Sequence, residues 1–405
     1  MTATGMDFPE LMRAVEQALQ AATGEPLRLS VVWVAPDTTA SYIVRVEQTG
    51  SNRALPRSLI VKAANPELAG DPQQMIFNEW AALQYLDELH CVPRVSARFY
   101  AGVADRSSPF IVMEDLGSGD GSPYEMIEGN DPEAAEKAIL EYARTLGRLH
   151  GCGAARPERF RELRNGLPEP PRRRPLFHDP WPDACSHSPE EIRRAIAEYR
   201  AVLSGLGVPL EPGIDDEIEE VTYLVEEHQG EFLTLCQGDQ NSTRQCIRQD
   251  GAHRMIDFGV AGLRHALIEG IPHRMTWGCI NRMPKRLFLP FEEAYRKELS
   301  TGCPAARNES RFREAMVEAA ARWSVFHMIW RVPDAMKADR PRGAASLRQQ
   351  LLAWLSAFIK TSEEFGRFPA LGKSAHRVRA RLRSQWPSET HNIPLYPAFQ
   401  RAGVS

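Results

Sequence analysis

Residues 235–262 read LCQGDQNSTRQCIRQDGAHRMIDFGVAG, and the two acids Asp239 and Asp257 in this stretch decide how the whole chain is read. A short apolar run delivers Gly238 and Asp239 into a polar loop. A second apolar run, RMIDFG, then delivers Asp257. Two carboxylates at the ends of neighbouring strands can share one task. One orients or deprotonates a hydroxyl, and the other holds a divalent cation on a phosphate chain. The tripeptide Asp257-Phe258-Gly259 recurs by chance, so its meaning depends on what stands upstream.

Upstream, the first hundred residues alternate in the manner of a small sheet. A helix is expected over about 9–22, where Leu11, Val15 and Leu19 fall four apart. LRLSVVWV and SYIVRVEQ flank APDTTA and read as a hairpin, and RSLIVKAA as a third strand. A helix over about 74–90 follows, then the strand-like ARFYAGVA and SPFIVMEDL. Lys62 sits inside the third strand among apolar residues, and Glu79 lies on the next helix, where it can pair with that lysine. An edge lysine snorkelling to solvent is the competing reading of Lys62. FIVMEDLG is a strand ending in a polar kink, suited to a hinge that meets adenine.

Beyond Leu116 the chain turns helical. Asp131, Pro132 and Gly151 bracket one helix. Ser188, Pro189 and Glu191 form a capping-box signature for another, running towards Gly205. Further helices are expected over about 309–331, 343–365 and 373–386. The last is basic, but Val378, Leu382 and Trp386 give it an apolar stripe and mark it as a docked surface helix. Residues 170–175, PPRRRP, read as a solvated connector. Trp277 reads as core packing and Cys236 and Cys246 as buried thiols.

The ordered set Lys62, Glu79, VMEDL, LGRLHG, QGD and IDFG resembles the aminoglycoside phosphotransferase and choline kinase family, which shares the protein-kinase-like fold. The resemblance spans about residues 25–265. It implies an α+β, two-lobed fold: a small N-terminal antiparallel-sheet lobe over 1–115 that binds nucleotide, and a larger helical catalytic and substrate lobe over 116–405. It also implies roles. Lys62, held by Glu79, would meet the phosphates of ATP or GTP. Met113, Glu114 and Leu116 would line the adenine pocket. Asp239 would face the substrate hydroxyl as the catalytic carboxylate, and Asp257 would bind Mg²⁺. The implied reaction moves the γ-phosphoryl group to a hydroxyl of a small molecule.

Two departures qualify the resemblance. The family pattern is His-Gly-Asp, four residues, then a metal-binding Asn. Gln237 stands at the first position and Arg244 at the last, and a guanidinium offers donors only. Asn241 lies three residues earlier in the same loop. The turn between the first two strands carries no Gly, so Thr38, Thr39 and Ser41 hydroxyls would have to replace backbone contacts to phosphate. Either the enzyme works with a modified metal site in which Arg244 meets phosphate charge, or it is an impaired nucleotide-binding or regulatory protein on the same fold. The absence of an HRD loop and of an Ala-Pro-Glu motif argues against a protein kinase. Glu269, Glu292 and Glu293 fall in the substrate portion and suggest a neutral or mildly cationic acceptor.

Composition agrees with a globular enzyme. Of 405 residues, 43% are hydrophobic and 25% charged, which excludes a disordered or low-complexity chain. A formal charge of −4 gives no field that would draw the chain to nucleic acid or an anionic membrane. Seven scattered cysteines without a CxxC pair argue against a disulfide framework and a structural zinc site. With neither an export-type leader nor a long apolar run, a cytoplasmic protein is expected.

Overall fold

The computed structural model describes residues 7–36, 41–50, 52–65, 72–105, 107–117, 121–169, 189–222, 229–239, 243–249, 251–275, 282–342, 345–388 and 393–400. Thr38, Thr39, Asn241, Trp277, Ser188 and the connector at 170–175 lie outside them. The chain opens with α1 (Phe8–Thr23), β1 (Leu29–Val34), β2 (Ser41–Gln48), β3 (Ser58–Ala64), α2 (Pro72–Leu89), β4 (Phe99–Val103) and β5 (Phe110–Glu114). These strands form one antiparallel sheet in the order β1-β2-β3-β5-β4. Helices then dominate: α3 (Pro123–Glu128), α4 (Pro132–Gly153), α5 (Pro157–Asn165), α6 (Pro189–Leu206) and α7 (Ile214–Thr222). Four short strands follow: β6 (Leu233–Cys236), β7 (Cys246–Gln249), β8 (Ala252–Met255) and β9 (Gly262–His265). The remainder is α8 (Leu267–Gly270), α9 (Pro272–Met275), α10 (Phe288–Leu299), α11 (Glu309–Lys337), β10 (Pro341–Arg342), β11 (Ala345–Ser346), α12 (Leu347–Phe365), α13 (Pro369–Gln385) and α14 (Pro397–Gln400). This is the α+β architecture expected from the sequence, a small N-terminal antiparallel sheet followed by a mainly helical C-terminal part.

The sheet's two faces have different jobs. Alternation sends Val44, Val46, Leu59, Val61, Ala63 and Val112 to the outer face, where Leu11, Val15 and Leu19 of α1 cover them. Asp7 caps α1 by accepting from the Glu10 amide at 3.0 Å. The inner face carries the ladder rows Ile43–Lys62–Ile111 and Trp33–Arg45–Ile60–Met113. Ile111 and Met113 belong to the main core that continues through α2 and α4. Lys62 therefore stands on the central strand, 5% exposed, and the edge-lysine reading is excluded.

Two expectations about α4 and the cysteines are corrected. α4 does not stop at Gly151 but runs to Gly153 with Ala154 as its C-cap. Gly151 is an interior contact instead: a Cβ there would come 2.7 Å from the Glu298 carbonyl of α10, so glycine lets the two helices close on each other. Cys91, just past α2, and Cys152, in the last turn of α4, form a disulfide with Cα atoms 6.2 Å apart. Scattered spacing had pointed away from pairing, yet the fold brings together residues 61 apart in sequence. Cys236 and Cys246 are buried free thiols, as expected. The basic helix α13 is docked through Val378 and Leu382. Among the described residues, no helix is long and apolar enough to cross a membrane.

Candidate active site

Three elements converge on one ammonium. β3 supplies Lys62, α2 supplies Glu79, and the turn after β8 supplies Asp257. Lys62 Nζ lies 2.6 Å from Glu79 Oε2 and 2.5 Å from Asp257 Oδ1. Burial alone would push Lys62 down, but the Asp257 and Glu79 carboxylates outweigh it and hold the ammonium above its ordinary value. Asp257 is driven low by Lys62 against the effect of its own burial. Glu79, the deeper acid at 1% exposure, is raised by burial, which the Lys62 charge offsets only in part. The Asp257 side chain remains 37% exposed, so this carboxylate opens onto the space in front of the lysine.

Asp257 adopts a left-handed backbone (φ 60°), unusual for a residue with a side chain. Of order 1–3 kcal/mol of strain must be offset nearby. The neighbours that hold it are visible. Phe258 is fully buried in the core. The Gly259 carbonyl accepts from Asn78 Nδ2 at 3.2 Å, and a Cβ on Gly259 would press against Met75 at 3.0 Å. Hence α2 holds the turn that presents the acid.

Asp239 follows β6, and its position depends on Gln237. The Gln237 amide donates from Nε2 to the Ile256 carbonyl (3.1 Å) and the Asp257 carbonyl (2.7 Å), while its Oε1 accepts from the Asp239 amide (2.9 Å). One buried side chain thus couples the backbones of the two acids. A glutamine has the donor and acceptor this needs, which answers the missing histidine of the family pattern.

Beneath this loop lies a second support. Glu269 Oε2 accepts from the Gln237 amide (3.1 Å) and from His150 Nε2 (3.0 Å), and its Oε1 accepts from the Gly238 amide. His150, from LGRLHG, also meets the Tyr295 hydroxyl at 2.7 Å. His150, Cys236 and Glu269 place ligand atoms within 4.8 Å of one another. The His150 and Glu269 atoms are already hydrogen-bonded, so the cluster is a scaffold for the loop. Glu269 and Glu292 are therefore engaged inside the fold. Both are buried, and Glu292 is bound to His273 at 2.8 Å and to Arg274. Glu293 stands beside Glu292 on α10, lining a groove of about 610 Å³ towards α11.

The remaining expected residues divide. Met113 (8% exposed) and Leu116 (5%) sit under the inner face of the sheet, and Ile43, Ile60 and the exposed Trp33 share that face, a set that motif reading alone did not single out. The Glu114 amide donates to the Arg98 carbonyl (2.9 Å) and its carboxylate pairs with Arg254 (2.9 Å), so both polar groups are engaged within the protein. Asp115 ties the segment after β5 to the sheet through Arg45 (2.7 Å) and Ser58 (2.5 Å). Ser41 lies opposite Ala64 at the start of β2 and is buried. Arg244 is exposed, with its guanidinium 4.0 Å from the Tyr124 ring centroid and Nη2 donating to the Tyr124 hydroxyl. Gln245, unremarked in the motif, donates from Nε2 to Asp239 Oδ2 at 3.0 Å.

No protein-family model matches the chain, and no curated protein matches it in sequence. Solved structures do. A choline/ethanolamine kinase family protein from Mesorhizobium loti aligns over 92% of this chain and 99% of its own, at 14% identity and a TM-score of 0.40. An aminoglycoside phosphotransferase from Alicyclobacillus acidocaldarius aligns over 91% and 96%, at 14% identity and TM-score 0.39. A Plasmodium vivax ethanolamine kinase aligns over 88% and 83%, at 12% identity and TM-score 0.38. These neighbours are small-molecule kinases and phosphotransferases, the families the motifs resemble. Likeness at this level says nothing of individual residues, and the site rests on its own geometry.

Proposed function

We propose that this protein transfers the γ-phosphoryl group of ATP (or GTP) to a hydroxyl of a small molecule. The observation that carries the reading is the buried Lys62 ammonium shared by Glu79 and Asp257, with Asp239 coupled to the same backbone through Gln237. An ammonium fixed between two acids is pre-aimed and always charged, which suits it to a phosphate chain. Asp239 is the base: it takes the acceptor's proton as the acceptor oxygen bonds to the γ-phosphorus, and the β–γ bridging oxygen leaves with ADP (or GDP). Trp33, Ile43, Ile60 and Met113 form an apolar roof for the purine ring of the nucleotide. The donor set also suits a hard divalent cation, since Asp257 offers a carboxylate that is partly open to solvent. Mg²⁺ bound there would neutralise phosphate charge.

The implied partner is a small hydroxyl compound, with no nucleic acid and no membrane. The cytoplasmic setting inferred from the sequence would keep Cys91 and Cys152 open to reduction. The test is a screen of hydroxyl compounds with ³¹P NMR of ATP turnover. Acceptor-dependent ADP formation that Asp239→Asn lowers by about 10³-fold, with nucleotide affinity kept, is the expected result. Equal turnover by the variant would remove Asp239 from the reaction. Nucleotide binding without any turnover would favour the impaired, regulatory reading.

A further inference from the structure

The loop between Asp239 and β7 holds two neighbours that point in opposite directions. Arg244 turns outward onto Tyr124, and α3, which carries Tyr124, is capped by Ser122 and packed against α14. Its guanidinium is therefore committed away from the Lys62–Asp257 pair. Gln245 turns inward and is partly buried. Its carbonyl accepts from the Ile256 amide at 2.8 Å, which pins it beside the residue that precedes Asp257. Its side-chain Nε2 reaches the Asp239 carboxylate at 3.0 Å. Gln245 is thus anchored by its backbone to the Asp257 segment and by its side chain to Asp239.

A primary amide has a donor arm and an acceptor arm on one planar group. With Nε2 spent on Asp239, the other arm is an uncharged oxygen donor, a favoured ligand of hard divalent cations. Among the described residues, Oε1 of Gln245 accepts no hydrogen bond. We propose that Gln245 completes the cation site together with Asp257. Its Oε1 ligates the divalent metal that accompanies the nucleotide, and its Nε2 orients Asp239, so the amide function stands one position later than Arg244. Arg244 has another duty, fastening the loop to α3. This inference rests on the phosphotransferase reading and adds the residue that replaces the missing asparagine.

The test is electron paramagnetic resonance titration of Mn²⁺ into the intact protein saturated with ATP, with calorimetry of metal-free ADP binding as a control for the nucleotide pocket. Gln245→Leu is expected to weaken Mn²⁺ binding by about 10- to 100-fold while leaving metal-free ADP affinity and thermal unfolding as in wild type. Gln245→Glu, which restores an oxygen ligand, is expected to retain Mn²⁺ affinity within a few fold although it loses the donor to Asp239. Arg244→Ala is expected to stay within about threefold of wild type. Wild-type Mn²⁺ affinity in Gln245→Leu would overturn the inference, and so would a loss confined to Arg244→Ala. If Asp257→Ala binds Mn²⁺ as wild type does, the phosphotransferase reading itself fails, and that outcome is separate from a failure at Gln245 alone.

Discussion

Glu269→Gln is a nearly isosteric change that probes the support under the loop that carries Asp239. The carboxylate is 2% exposed and accepts from His150 Nε2, the Gln237 amide and the Gly238 amide. All three partners are donors. A glutamine has only one oxygen, and its best orientation keeps that oxygen on His150 and Gln237 and turns its NH₂ against the Gly238 N–H. One buried donor then lacks an acceptor, at about 1–3 kcal/mol, and two charge-assisted bonds become neutral ones, at about 1 kcal/mol each. The expected loss is about 3–5 kcal/mol, measured by urea unfolding followed by tryptophan fluorescence with an unchanged slope. Because the same amides place Asp239, acceptor-dependent turnover should fall more than nucleotide affinity does. A variant within about 1 kcal/mol of wild type would refute the claim that this carboxylate holds the loop.

Gln237→His keeps a donor and an acceptor on one side chain and should lower turnover by no more than about tenfold. Gln237→Leu removes the partner of three partly buried backbone groups and should lower it by about 10²-fold or more, as judged by single-turnover kinetics. Burial alone would raise the Glu292 carboxyl, but His273 and Arg274 hold it at about 2, below its ordinary 4.5. A depressed folded value gives stability that is present above about pH 4.5 and lost as the pH falls through 2, here ~3 kcal/mol. Glu292→Gln should therefore be about 3 kcal/mol less stable than wild type at pH 7 and only about 1 kcal/mol less at pH 3, in urea unfolding at both; a gap independent of pH would contradict the ion-pair assignment. Reduction of Cys91–Cys152 opens a cross-link spanning 61 residues, and the chain-entropy estimate for that loop is about 4 kcal/mol. Thiol labelling of the unfolded chain should find two fewer reactive cysteines before reduction than after, and equal numbers would show the pair is not formed.

Much of the fold was legible because its signals are local. Leu11, Val15 and Leu19 recur at helical spacing, and the β-branched runs around Lys62 alternate, so α1 and the sheet could be placed before any contact was known. Lys62, Glu79 and Asp257 could be ordered along the chain, and the fold brings them together. What escaped depends on side-chain direction and long-range approach. Motif spacing pointed to Arg244, yet stacking on Tyr124 turns it outward and leaves Gln245 facing Asp239. Glu269 could be placed only in the substrate portion, because a linear pattern cannot show that backbone amides close on its carboxylate. Cys91 and Cys152 looked unpaired because only the crossing of α2 and α4 brings them together. Gly151 read as a helix stop, whereas its role is to admit α10.

The most direct test of the central claim is calorimetric titration of ATP and ADP, with and without Mg²⁺, into wild type and Asp257→Ala. Nucleotide binding that strengthens with Mg²⁺ in wild type and loses that dependence in Asp257→Ala is the result expected of a working phosphoryl-transfer site. Binding indifferent to Mg²⁺ in both proteins, or no binding at all, would contradict it.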